Sequence, residues 1–215
     1  DAALRRTPAA SSAHGAAAGG TPARQPERAG TPQTDAWLRT ERQRSLAGTI
    51  TRAARHAGVD PALSLAVAVA ESSLDPTARS ADGLSTGTFQ VTTATAADIR
   101  RRFASGRLER PPGADDVALG VAHLRYLDGL FADGTALGGA LRTVAVDDPD
   151  ERTRFALAAY NAGEGRVASA QRSAAALRRD PTRWDGIRAF LPETTRRYVD
   201  RVLRYAGRAP RAQAA

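Results

Sequence analysis

Residues 60–90 read DPALSLAVAVAESSLDPTARSADGLSTGTFQ, and the rest of the chain is understood from this stretch outward. Asp60 followed by Pro61 is a helix start: the carboxylate accepts a backbone N–H, and the proline ring already holds the helical φ. Through LSLAVAVAES the run is apolar on nearly all sides, the pattern of a helix buried within a core. It stops before Asp75-Pro76, because a residue preceding proline avoids helical geometry. At that end stands Glu71, set against Ala66, Val67, Val69 and Ala70, and a loop crowded with Ser, Asp and Gly follows it. Apolar surroundings disfavour the ionised form of a carboxyl group, so Glu71 is expected to hold its proton toward neutral pH, as a general acid must.

Helical periodicity continues on both sides of this stretch. Leu46, Ile50, Ala53 and Ala54 recur at helical spacing between Arg44 and His56, and Gly58 ends that helix. Further helices are expected over 92–103, 116–131, 151–160, 167–178 and 194–206, with a glycine-marked loop at Gly134, Gly138 and Gly139 and a break at Gly163-Glu164-Gly165. Alternating strand patterns are scarce, so the fold class is mostly α. Residues 1–35 hold ten Ala, four Pro and four Gly, with Leu4 as their one large apolar residue. Such a segment buries too little surface to offset its ordering entropy and reads as a disordered tail or linker. The domain is therefore placed at 36–208, order beginning near Trp37, with 209–215 a flexible C-terminus.

Composition narrows the class. No run of eighteen apolar residues occurs, so no membrane span is expected. The chain has neither Cys nor Met, which excludes disulfides and thiolate metal sites and suggests a processed or excised product. All 31 basic residues are arginine and the formal net charge is +8, a balance suited to an anionic polymer such as nucleic acid or a cell wall. Aromatic residues are only 5% of the chain, too few for the base-stacking that single-stranded nucleic acid requires, so no nucleic-acid partner is expected. His14, His56 and His123 share no ligand spacing. Neither a metal nor a cofactor is indicated. Arginine runs such as Arg100-Arg101-Arg102 read as solvated helix faces.

Three ordered blocks carry a more specific signal. Glu71-Ser72 is followed by Leu74-Asp75-Pro76, Ala78, Ser80, Gly83, Gly87, Phe89-Gln90 and Thr95-Ala96. The second block is Ala158-Ala159-Tyr160-Asn161-Ala162-Gly163-Glu164-Gly165-Arg166-Val167. The third runs from Leu191-Pro192 to Thr195-Arg196-Arg197-Tyr198-Val199. Together they resemble the soluble lytic transglycosylase domain, over about residues 45–206. The helix Val117–Leu124, with Gly120 inside it, is similar to a weaker motif of the same family. Two departures stand out. The loop between Gly83 and Gly87 is one residue longer than the family's commonest form, and Glu193 lies one position before the family's glutamate, which falls on Thr194.

The resemblance implies a lysozyme-like helical domain with a substrate groove, acting on peptidoglycan strands in the periplasm or cell wall. It makes Glu71 the single catalytic acid that cleaves the N-acetylmuramic acid–β-1,4–N-acetylglucosamine bond and leaves a 1,6-anhydro ring. Ordinary glycosidases mostly need a second carboxylate; here the substrate's own C6 hydroxyl and N-acetyl group would replace it. Ser80, Gln90, Tyr160, Asn161 and Glu193 are the expected substrate-binding residues, with the Tyr160 hydroxyl facing the acid and Asn161 also shaping a turn. A monomer is expected, with a secretion, conjugation or phage apparatus as a partner. Hydrolysis of goose-lysozyme type and a non-catalytic peptidoglycan-binding or assembly module are the alternatives. Asp75 as a second acid is disfavoured, since Asp-Pro here reads as a turn and cap.

Overall fold

The structure, a computed structural model, describes residue 38 and residues 40–207. The expected tail (1–35), Trp37, His14 and the C-terminus (209–215) lie outside the described residues. The described residues form eight α-helices: α1 Glu41–Ala57, α2 Pro61–Ser72, α3 Thr93–Ala104, α4 Asp115–Asp133, α5 Pro149–Ala162, α6 Glu164–Ala176, α7 Trp184–Ile187 and α8 Glu193–Tyr205. Two small antiparallel ribbons, β1 Ser85–Thr86 with β2 Val91–Thr92 and β3 Ala136–Gly138 with β4 Leu141–Arg142, complete the framework.

Local chemistry sets the helix ends. Thr40 and Gln43 form a reciprocal capping box on α1, and Gly58 closes that helix at φ 67°. Asp60 accepts the Ala62 N–H at 2.8 Å, and Pro61 occupies the first position of α2, as expected. Asp148 and Pro149 repeat the device at α5. Gly163 alone breaks α5 from α6, at φ 86° and ψ 144°; Gly165 is helical, so the expected three-residue break is a single-residue kink. The short α7 and the 3-10 turn at 188–190 went unread because four residues carry too little periodicity.

The core forms where α1 packs on α2 and α4, α4 on α5, and α8 against both α2 and α5. Ile50, Val67, Leu127, Phe131, Phe155, Leu157 and Val199 have no exposed surface there. α2 is buried as expected, yet it shares the centre with α4, of whose nineteen residues eleven are buried. A smaller cluster of Ala96, Ile99, Leu119 and Ala122 joins α3 to α4.

One joint positions everything that follows. Gly120, in the middle of α4, lies so close to Phe89 that a Cβ built on it would fall 2.1 Å from Phe89 Cγ. The bare backbone thus makes the seat for a fully buried ring from the loop 73–92. Asp116, at the start of α4, accepts the Thr88 N–H at 3.1 Å, and the Ser72 hydroxyl donates to the Thr88 carbonyl at 2.8 Å. The loop after α2 is therefore folded back over the C-terminal end of the helix it leaves.

Candidate active site

Under that loop is a cavity of about 200 Å³ lined by Glu71, Ser80, Gln90, Tyr160, Asn161 and His123, with Ser85, Val91, Thr92 and Thr95 at its edge. Five of the six residues singled out in the sequence converge here from three segments. Glu71 belongs to the last turn of α2, Tyr160 and Asn161 to the last turn of α5, and Ser80 and Gln90 to the loop.

Glu71 accepts a hydrogen bond from the Tyr198 hydroxyl at 2.7 Å. Burial pushes its pKa up from 4.5 to about 7, against the opposing pull of the Tyr198 hydrogen bond and the Arg201 cation. Desolvation wins because charging the carboxyl requires taking it out of water, while one phenol proton and one solvent-exposed cation compensate only part of that cost. The Tyr198 and Tyr160 hydroxyls are both pushed well above their ordinary value, by burial first and by the nearby carboxylate second. Both phenols therefore remain protonated donors throughout the working pH range. The arrangement can deliver one proton near neutral pH and take one back.

The remaining residues differ from expectation in what they bond to. The Tyr160 hydroxyl donates to the Phe89 carbonyl at 2.7 Å; it locks the loop to α5, and the proton expected to point at the acid is spent elsewhere. The phenol that faces the acid is Tyr198, from the third motif. Sequence reading passed over it, although a tyrosine on the buried face of an amphipathic helix needs a partner for its hydroxyl. Ser80 donates to Asp82 at 2.5 Å and accepts the Ser85 N–H at 2.9 Å, so its hydroxyl shapes the loop and does not bond the acid. Gln90, at the left-handed φ of 46°, spends both amide protons on the carbonyls of Ala78 (3.1 Å) and Gly87 (2.8 Å). What it presents to the cavity is its amide oxygen. The Asn161 side chain, on the cavity wall, has no hydrogen-bond partner among the described residues and offers both donor and acceptor to a ligand. Glu193 is set apart from the cavity: it opens α8 on the solvent side and pairs with Arg197 at 2.5 Å, both side chains mostly exposed.

Two further residues complete the picture. His123 forms part of the cavity wall, its ring 5.1 Å from that of Tyr160 and stacked at 6.3 Å on Tyr126. Asp75 is held below the ordinary carboxylate range by the Thr77 hydroxyl and N–H, at 2.7 and 2.8 Å, which makes it a turn cap as expected. Among the described residues, no group of three or more His, Asp or Glu side chains is placed to hold a metal ion. No helix among them is long and apolar enough to cross a membrane.

Comparison with known proteins identifies the family and the fold. Residues 48–182 match the family described as Transglycosylase SLT domain. The chain is 34% identical over 159 residues to membrane-bound lytic murein transglycosylase F of Desulfosudis oleivorans, covering 73% of this chain and 31% of that one. It is 32% identical to the protein of the same name from Marinobacter nauticus, covering 65% of this chain and 24% of that one. Among solved structures it resembles an inactive mutant of lytic transglycosylase Slt from Pseudomonas aeruginosa, which carries a glutamine in place of a glutamate. The TM-score is 0.53 and the identity 26%, over 74% of this chain and 23% of that one. The 70 kDa soluble lytic transglycosylase of Escherichia coli shares the fold at a TM-score of 0.53 and 21% identity, over 75% of this chain and 23% of that one. The chain thus spans about a third or less of the length of these relatives.

Proposed function

The chain belongs to the transglycosylase SLT domain family, and from that premise we propose that it is a peptidoglycan lytic transglycosylase in which Glu71 acts alone, first as acid and then as base. The observation that carries this reading is the cavity lining. Glu71 is its one carboxyl group, and burial holds that group's pKa at about 7. A two-carboxylate hydrolase needs a partner acid about 5–9 Å away, and the nearest candidate in sequence, Asp75, is occupied as a cap.

In the proposed reaction the protonated Glu71 gives its proton to the glycosidic oxygen between N-acetylmuramic acid and N-acetylglucosamine. The C1–O bond breaks and N-acetylglucosamine leaves as an alcohol. The muramic C6 oxygen then bonds to C1, and its proton passes to the Glu71 carboxylate. No water is consumed and the acid is restored. The substrate's N-acetyl group would stabilise the cationic centre between the two steps. Tyr198 would orient the carboxyl throughout, while Asn161 and the Gln90 oxygen would meet sugar hydroxyls or acetamido groups. The same reading places the protein in the periplasm or at the cell wall, where this substrate lies.

The test is digestion of purified murein with product analysis by mass spectrometry. Anhydromuramic ends are expected, and Glu71→Gln should lower the rate by about 10³-fold or more. Reducing muramic ends without the anhydro form would make the protein a hydrolase. Undiminished turnover by Glu71→Gln would remove the acid's assignment altogether.

A further inference from the structure

The family match ends at residue 182, whereas the group that bonds the acid comes from α8, beyond it. One turn after Tyr198 on that helix, the Arg201 guanidinium carbon lies 5.5 Å from the centroid of the Tyr198 ring. This is within the roughly 6 Å over which a ring face attracts a cation. Arg201 is exposed on the outer side of α8, and the phenol between it and Glu71 is buried. Cation, ring, hydroxyl and carboxyl thus stand in sequence from solvent to cavity, ending in the 2.7 Å hydrogen bond.

We propose that Arg201 is a positioning residue for Glu71, acting through Tyr198 to hold the phenol against the acid and to set the upper pH limit of activity. This rests on Glu71 being the proton donor. A guanidinium over a phenol ring withdraws electron density and makes the O–H a stronger donor to a carboxylate. It also favours the ionised carboxyl electrostatically, in the direction opposite to burial. Other titratable and charged groups also surround the acid. Tyr160 from α5 is a neutral phenol bonded to Phe89, His123 reaches the same cavity from α4, and the loop presents hydroxyls and an amide. Along α8, Arg197 is paired with Glu193, and Arg204 lies a further turn beyond Arg201. Arg201 is therefore the cation that counters the desolvation of Glu71.

The consequence runs against the usual effect of removing a site arginine. Without the cation the acid keeps its proton to higher pH, so the alkaline limb of kcat/KM against pH moves upward. Arg201→Gln is expected to shift that limb by roughly half a pH unit and to raise activity above it. Arg201→Lys should move it less, and Arg204→Gln should leave it in place. Titration of the labelled Glu71 carboxyl by NMR reads the same shift without turnover. In the Tyr198→Phe background the effect of Arg201→Gln should shrink, since the phenol proton that transmits it is gone. An unmoved limb and unmoved Glu71 titration in Arg201→Gln, with wild-type activity present, would overturn the inference. So would an Arg201→Gln shift of undiminished size in the Tyr198→Phe background. Neither result touches the assignment of Glu71, which fails only if Glu71→Gln remains active.

Discussion

The wall of the cavity that carries Glu71 and the loop wall opposite it contain similar numbers of polar side chains, but those side chains bond to different things. On the helical side, the Tyr198 hydroxyl is aimed at the acid and nothing else competes for its proton. On the loop side, Ser80 bonds Asp82 and Ser85, and Gln90 bonds Ala78 and Gly87. A helix satisfies its own backbone, so a side chain such as Tyr198 is free to face the acid, while Tyr160 and Ser72 spend their hydroxyls fastening the loop to the helices. A fifteen-to-twenty-residue loop folded over a core has many backbone donors and acceptors to satisfy, and its polar side chains are consumed in doing so. The helices tune the acid, and the loop mainly encloses it.

The joint between the two walls is the place to break this comparison. Gly120→Ala forces a methyl group into the Phe89 ring, which has no exposed surface into which to move. Overpacking of this kind costs about 3 kcal/mol or more. The loop should detach from α4 before the helices unfold. Chemical denaturation should show a markedly lowered midpoint, and amide exchange should quicken first at Thr88 and Gln90. If exchange instead quickens uniformly, the two walls are one cooperative unit and the contrast drawn between them is only chemical.

The helical wall is sharpened by a test of its stored cost. A carboxyl whose pKa rises from 4.5 unfolded to about 7 folded binds its proton more tightly in the folded state. Stability from this group is complete below about pH 4.5, is lost as pH climbs through that window, and stays lost above 7. Glu71→Gln carries no charge at any pH. It should gain on the wild type between pH 4.5 and 7, reaching about 3 kcal/mol at most, while losing activity. Unfolding midpoints at pH 4 and pH 8 check the sign. Equal differences at both would mean that the acid is solvated in the folded protein.

How much of this was legible in the sequence follows from the range of each interaction. The α2 start at Asp60-Pro61, its apolar run and the carboxylate at its end are local signals, and all three appear where they were read. The convergence of Glu71, Ser80, Gln90, Tyr160 and Asn161 followed from the first two motif blocks. Their hydrogen-bond partners did not. The Tyr160 hydroxyl reaches back 71 residues to Phe89, and Tyr198 reaches back 127 to Glu71. Which of two buried tyrosines touches the acid depends on how α5 and α8 pack against α2, and no periodicity encodes that. Gly120 was noticed as part of a motif, yet its role as a seat for Phe89 needs both partners in space. Glu193 was one position out of register with its motif, and on a helix one position is a 100° turn, enough to place it in solvent with Arg197.

The loop wall offers the smallest and most discriminating change. Thr88 is fully buried, and its backbone is fixed at both ends, the N–H by Asp116 and the carbonyl by Ser72. Its hydroxyl has no hydrogen-bond partner among the described residues. A buried hydroxyl without a partner keeps its desolvation penalty uncompensated, and valine has the same shape without that penalty. Thr88→Val should therefore raise the unfolding free energy by about 1 kcal/mol, measured by denaturant titration with an unchanged m-value. If the loop only encloses the site, the murein product pattern and rate should stay as they were. A stabilised protein with slowed turnover would mean that this wall, too, lends a hydroxyl to the chemistry. The division of labour between helices and loop would then have to be redrawn at Thr88.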